Sequence, residues 1–285
     1  MKRLDKTEII FKIIAYTLTT LFAIAAIYPF IYVISASISG IKPVDGGEIV
    51  LLPKEIQFEA INYVISNKMY WITYANTLFY TFFGTVWSMF VSLTGAYALS
   101  KSRLLFKRQI NFYLVFTMWF SAGMIPTYLN FIRLGVNSRW GIVIGTGINI
   151  FNVILLKNYF QGIPKEIEEA ATIDGASEFQ LLSGIYIPMS KAAIATVTLF
   201  YGLGRWNTYF WSRMLLEERT DWPLQVFMRV FLEDAESLEG GTVGNFSNTS
   251  AIYAMIVFSI LPIIIIYPYI QKYFAKGVNV GGVKE

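Results

Sequence analysis

The sequence predicts an all-α, polytopic membrane protein with about six transmembrane helices, and three observations carry that prediction. Of the 285 residues, 55% are hydrophobic and 17% aromatic against 15% charged, a balance far from that of a water-soluble domain of this size. Six apolar runs, near residues 9–34, 73–99, 109–131, 140–160, 187–210 and 251–274, each offer the roughly 20 residues that cross a hydrocarbon core. The basic residues gather beside those runs instead of forming a stripe with interleaved aromatics, so nucleic-acid binding is not expected despite a net charge of +4.

The first run comes after Lys2, Arg3 and Lys6 like the core of a signal peptide, but it is too long for one and reads as an uncleaved span. After the second run, "SKSRLLFKR" carries Lys101, Arg103, Lys107 and Arg108 with no acid. By the positive-inside rule it is cytoplasmic, as is the amino-terminal tail with Lys2, Arg3, Lys6 and Lys12. An even number of spans then puts both termini in the cytoplasm. Alternation places residues 35–72, 132–139 and 211–250 outside and 161–186 inside. The 211–250 connection is acidic, with Glu217, Glu218, Asp221, Glu233, Asp234, Glu236 and Glu239, and its "EGGTVGNFSNTS" has the composition of a loop. Residues 1–285 read as a single transmembrane domain without repeats.

The sequence holds no Cys and no His, which removes disulfides, thiol nucleophiles and His-based acid/base chemistry. No catalytic residue and no metal ligand set is expected. "GAYALSKS" approaches a phosphate-binding loop, but it closes a membrane helix instead of joining a strand to a helix. "GIVIGTG" has the small-residue spacing of close helix packing.

The segment that fits its surroundings worst is "GIPKEIEEAATIDGASEFQLLSGIYIP", residues 162–188. Pro164 suits a first helical position, and Glu166, Glu168 and Glu169 favour the positive end of a helix dipole. Ala170 and Ala171 keep one side thin. Asp174-Gly175 is a breaker, with Gly175 free to turn left-handed at the helix end. A second short helix is expected from about Ser177 to Gly184, with Pro188 starting or bending the next span.

Spacing here is specific: Glu169-Ala170-Ala171, three residues, Gly175, nine residues, Ile185, one residue, Ile187-Pro188. It resembles the EAA loop of importer permeases of the ATP-binding cassette (ABC) class, with Ile187 where that family more often has Leu. "GAYALSKSRLLFKR", "RWNTYFW" and "KGVNVGGVKE" are similar to stretches of the carbohydrate branch, the maltose-type "G" permease and its oligosaccharide relatives. The resemblance implies a type I ABC importer permease fold in the cytoplasmic membrane of a prokaryote. Glu168, Glu169, Ala170, Ala171, Asp174, Gly175 and Ala176 would form the coupling helix that enters a groove of a cytoplasmic ATPase. The implied partners are a second, homologous permease, two ATPase subunits that bind ATP and Mg, and an extracytoplasmic solute-binding protein. No cofactor is expected on this chain.

For the sugar pathway, Asn149 and Asn152 fall within one run a turn apart, and Arg205, Tyr201 and Trp206 fall in another. The asparagines could equally bond between helices, Arg205 could snorkel outward, and the aromatics could simply pack. The rival functions are an ion-coupled secondary transporter, which needs an acidic relay that these runs lack, and an ABC importer for a non-sugar polar solute.

Overall fold

A computed structural model of the chain describes residues 6–237, 242–243 and 246–281. Lys2, Arg3, Glu239 and the last four residues of "KGVNVGGVKE" lie outside the described residues. The described residues form two compact units, one running up to Lys68 and taking in 228–261, the other holding 69–227 and the chain from Pro262 onward.

In the first unit, α1 (Lys6–Ser37) exposes large apolar side chains along its length, among them Phe11 and Phe22, as suits a helix whose solvent is lipid. Two short helices come next, α2 (Ile41–Asp45) and α3 (Glu59–Ser66). The connection between them is pinned to the end of α1: the Ser35 hydroxyl donates to the Leu51 carbonyl at 2.6 Å, and the Lys54 amide donates to the Ser39 hydroxyl at 3.1 Å.

The second unit opens with α4 (Lys68–Ser100), whose 33 residues make it about 50 Å long at 1.5 Å per residue. Then come α5 (Lys107–Trp119) and α6 (Met124–Arg133), α7 (Arg139–Gly145) and α8 (Ile150–Gln161), and the short α9 (Lys165–Ile173). A turn leads to α10 (Glu178–Leu181), a wide π turn over Leu182–Tyr186, α11 (Ile187–Met189), α12 (Lys191–Trp206) and α13 (Phe210–Leu215). The core of this unit joins α4, α8, α10 and α12 through Ala96, Leu156, Phe160, Leu181, Ala193 and Val197, all within 2% of complete burial.

Finally α14 (Leu224–Ser237), the strand pair β1 (Thr242–Val243) and β2 (Phe246–Ser247), and α15 (Asn248–Gly281) complete the described chain. β1 and β2 pair antiparallel, and Tyr253 meets Tyr32 edge to face at 5.6 Å within the first unit.

Among the described residues, three helices are long and apolar enough to cross a bilayer unaided: residues 7–37, 68–100 and 248–268. The count reaches the six expected only when each of three bent pairs is one span. This corrects the reading of 109–131, 140–160 and 187–210 as continuous runs. α5 and α6 meet at 118°, α7 and α8 at 47°, and the α10–α11 stretch meets α12 at 88°. The first break begins at extended Phe120 and ends at Gly123, whose φ of +86° suits glycine. The second holds Gly147, where a Cβ would lie 2.5 Å from the Trp87 ring. The third falls at buried Ser190, two residues beyond Pro188. The 211–250 connection, read as loop, contains α13, α14 and the strand pair; Leu224, Val226, Phe227, Val230 and Phe231 supply a helical apolar period among the acids.

Candidate functional site: a broken loop helix and a polar cavity

Pro164 is the N-cap of α9, not its first helical residue: with ψ at 132° it is still extended, and Lys165 begins the helix. Glu166 and Glu168 lie in the first turn, beside the unpaired amides of the positive helix end. The helix stops in a Schellman motif. The Ala176 amide donates to the Ala171 carbonyl at 2.9 Å and the Gly175 amide to the Thr172 carbonyl at 3.0 Å, with Gly175 at φ +84°. α10 restarts at once, because Ser177 and Gln180 form a reciprocal capping box.

The sequence-predicted residues divide between two faces. Ala171 and Ala176 pack against the core, and Glu168 is half-buried. Glu169, Ala170, Asp174 and Gly175 are exposed, and beside them stand two large apolar side chains, Ile173 at 85% and Phe179 at 76% exposure. Exposed apolar groups flanking a fixed turn, with acids next to them, form a surface suited to contact.

The inward face carries a charge cluster that the pattern of residues did not reveal. Lys101 is buried at 7% exposure just past the end of α4, its ammonium 4.3 Å from the Tyr97 ring centre and 4.1 Å from that of Tyr186. It donates to Glu168 Oε1 at 2.6 Å and to the Tyr186 hydroxyl at 3.0 Å, and that hydroxyl donates to Glu168 Oε2. On the other side of Gly175, Glu178 accepts from the Tyr97 hydroxyl at 2.7 Å and from Arg103. Burial pushes the Glu168 carboxyl up, but the hydrogen bonds from Lys101 and Tyr186 outweigh it and hold the group below its ordinary value; Glu178 is held low by the Tyr97 hydroxyl and Arg103. A cavity of about 640 Å³ opens among Lys101, Arg103, Lys107, Lys165 and Glu168. In the sequence, Lys101 and Arg103 mark only orientation. The available signal was the acid-rich 166–178 segment, which lacked internal counter-charges.

A second set of candidates meets at the break between α7 and α8. Asn149 is not within a helix as expected. It is the exposed N-cap of α8, its Oδ1 accepting the Asn152 amide, whereas Asn152 is buried. Tyr201 joins the break to α4, its hydroxyl 2.7 Å from Ser92 Oγ and accepting the Asn149 amide at 3.1 Å. Arg205 does not snorkel outward: it is 7% exposed and caps the end of α7. Its Nη2 donates to the Thr146 and Val143 carbonyls at 2.8 and 3.3 Å and to Ser88 Oγ at 3.2 Å; Nη1 donates to Thr146 Oγ1. A guanidinium there meets the carbonyls that the broken helix leaves without partners, a need that lipid cannot serve.

Asn149, Asn152, Tyr201 and Arg205 line one cavity of about 420 Å³, together with the aromatic rings of Phe200 and Trp211. Trp206 does not join them. It lies edge to face with Tyr74 at 6.0 Å and lines a separate apolar cavity of about 470 Å³. Sequence reasoning also missed Asn76, an amide inside an apolar run. Its Nδ2 donates to the Thr220 and Trp222 carbonyls at 2.6 and 3.0 Å and its Oδ1 accepts from Arg139 at 2.9 Å, clamping residues 220–222 to α4.

Residues 104–280 match the family described as binding-protein-dependent transport system inner membrane component. Among curated relatives, the chain is 37% identical over 281 residues to the polygalacturonan/rhamnogalacturonan transport system permease protein YtcP of Bacillus subtilis, covering 96% of this chain and 98% of that protein. It is 26% identical over 280 residues to the maltodextrin transport system permease protein MdxG of the same organism, covering 96% of each. Among solved structures, a bacterial ABC transporter involved in the import of the acidic polysaccharide alginate superposes with a TM-score of 0.86 at 44% identity, covering 96% of this chain and 100% of that one.

Proposed function

The chain belongs to the binding-protein-dependent transport system inner membrane components, and from that premise we propose that it is the permease subunit of an ATP-driven importer that carries an oligosaccharide into the cytoplasm. The observation that carries the reading is the loop at α9 and α10. Its Gly175 turn is fixed by a Schellman motif, and Ile173 and Phe179 stand exposed beside Glu169 and Asp174 with nothing among the described residues covering them. An ATPase subunit with an apolar groove rimmed by basic groups is the partner such a tip fits. Lys101, Arg103, Lys107 and Arg108 support a cytoplasmic placement for this end, with residues 211–250 outside. ATP and Mg belong to two such ATPase subunits; a second permease completes the pathway and an external binding protein delivers the solute.

The cavity at the α7–α8 break supports a sugar as cargo. It combines amides, a phenol hydroxyl and the rings of Phe151, Phe200 and Trp211, the groups that bond to hydroxyls and stack on pyranose faces. Among the described residues its one charged lining group is the Arg205 cation, with no carboxylate beside it. That field favours an acidic oligosaccharide over a neutral one, in keeping with the acidic polysaccharide named for the alginate importer.

The test is co-purification with co-expressed candidate ATPase and partner permease subunits, then hydrolysis in lipid with a binding protein charged with oligogalacturonide, alginate oligomer or maltodextrin. Acidic oligomers are expected to stimulate hydrolysis, and Ile173→Asp to abolish ATPase retention. Solute uptake without any ATPase would sink the reading in favour of an ion-coupled carrier. Stimulation by maltodextrin alone would overturn the acidic cargo.

A further inference from the structure

We propose that Lys101 is a positioning residue that ties the exposed loop to α4, so that the loop and the end of α4 move as one body when a partner pushes on the tip. The proposal rests on the reading of that loop as an ATPase contact. The covalent path from the loop leads only to α8 on one side and α12 on the other. α4 is remote in sequence, yet it holds the loop at two points, one on each side of Gly175. Lys101 grips α9 through Glu168, and Tyr97 with Arg103 grips α10 through Glu178. Tyr97 and Lys101 lie one turn apart, so both grips originate in the same short stretch of chain.

The chemistry of the first grip distinguishes it from an ordinary surface ion pair. An ammonium buried to this degree is tolerated only when its donors are satisfied, and here they meet a carboxylate and a phenol between two aromatic faces. Both Glu168 oxygens are committed inside the chain, one to Lys101 and one to Tyr186. Glu168 is thus occupied holding its own helices, and Glu169, exposed next to it, is left for an outside partner. Tyr186 brings the π turn into the same knot, and π turns recur where a helix is bent to functional use.

The absence of cysteine in the sequence allows a direct test with spin labels at Leu105→Cys and Glu166→Cys in the complete complex in lipid. The label separation is expected to be identical without nucleotide and with Mg–ATP–vanadate trapped. Adding Lys101→Met should broaden or shift it and lower binding-protein-stimulated hydrolysis by about tenfold. Lys101→Arg should restore the narrow separation. Tyr186→Phe, which removes one oxygen and is mild for folding, should show a smaller loss in the same direction. Lys101→Met with Glu168→Gln should be no worse than either alone, because each removes the same contact. A separation that changes on trapping in the otherwise unsubstituted chain, additive losses, or wild-type behaviour in Lys101→Met would each overturn the proposal. Failure of the parent reading shows elsewhere, as undiminished ATPase retention by Ile173→Asp.

Discussion

Arg205 reaches the end of α7 by passing over Gly84, where a Cβ would lie 2.8 Å from its Nε and 2.9 Å from its Cδ. The absent side chain on α4 is what leaves room for a guanidinium that serves the carbonyls of Val143 and Thr146. Gly84→Ala is therefore expected to displace the guanidinium and destabilise the protein by about 1–3 kcal/mol. Thermal unfolding in detergent reads this. The same measurement on Gly202→Ala serves as a control, since among the described residues a Cβ there has only Thr85 Oγ1 nearby, at 3.9 Å.

Gly175 has open space around it, so what restricts it is backbone alone. Gly175→Ala should cost about 1–2 kcal/mol, the strain of a left-handed residue with a Cβ, and Gly175→Asn less. Gly175→Leu adds bulk at the exposed tip and should weaken ATPase retention beyond its small effect on melting temperature. A pull-down run beside the melting curve separates the two.

The ties at Glu168 and Glu178 set a pH dependence. Both carboxyls are held below their ordinary value of 4.5, so their stabilisation is fully present above about pH 4.5 and is lost as pH falls through the depressed values. Hydrogen exchange of amides 166–189 should stay slow from neutral pH down to that point, after correction for intrinsic rates, and accelerate below it. In Lys101→Met the acid-dependent step should shrink. An unchanged step would mean that Glu168 is not held by this lysine.

Tyr201→Phe removes the hydroxyl shared by Ser92 and the Asn149 amide. A loss of about 1–3 kcal/mol is expected from the unsatisfied groups. Solute half-saturation should also rise, because Asn149 then loses its anchor at the cavity wall. Trp206→Phe, at the separate apolar cavity, should leave half-saturation unchanged.

How much of this was legible in the chain differs from place to place for physical reasons. Gly175 and Ser177 act over three or four residues, so their turn and cap can be read from neighbours alone. The six apolar runs are likewise a local property. The breaks at 120–123, 146–149 and Ser190 are not, because an apolar pattern does not record a bend whose freed carbonyls are served from 59 residues away, as the Thr146 carbonyl is by Arg205. The Lys101–Glu168 pair spans 67 residues and stayed invisible for the same reason. Residues 224–237 failed differently: their acids and the glycines just after them suggested loop, while the apolar period that makes α14 was present in the sequence.

The π turn at Leu182–Tyr186 fixes the rotational phase of α11 and α12 beyond it. A wide turn holds one residue more than an α-helical one, and each residue of an α-helix advances the chain by about 100°. Deleting Gly184, which has open space around it, would let the backbone close into regular α-helix. Pro188 and Ser190 would then keep nearly their present bearing, because the wide turn already absorbs the surplus residue without the 100° that it would add to a regular helix. The wide turn thus keeps the loop and α12 in phase, storing in its width a residue that would rotate α12 by about 100° if the segment tightened to regular α-helix without losing it.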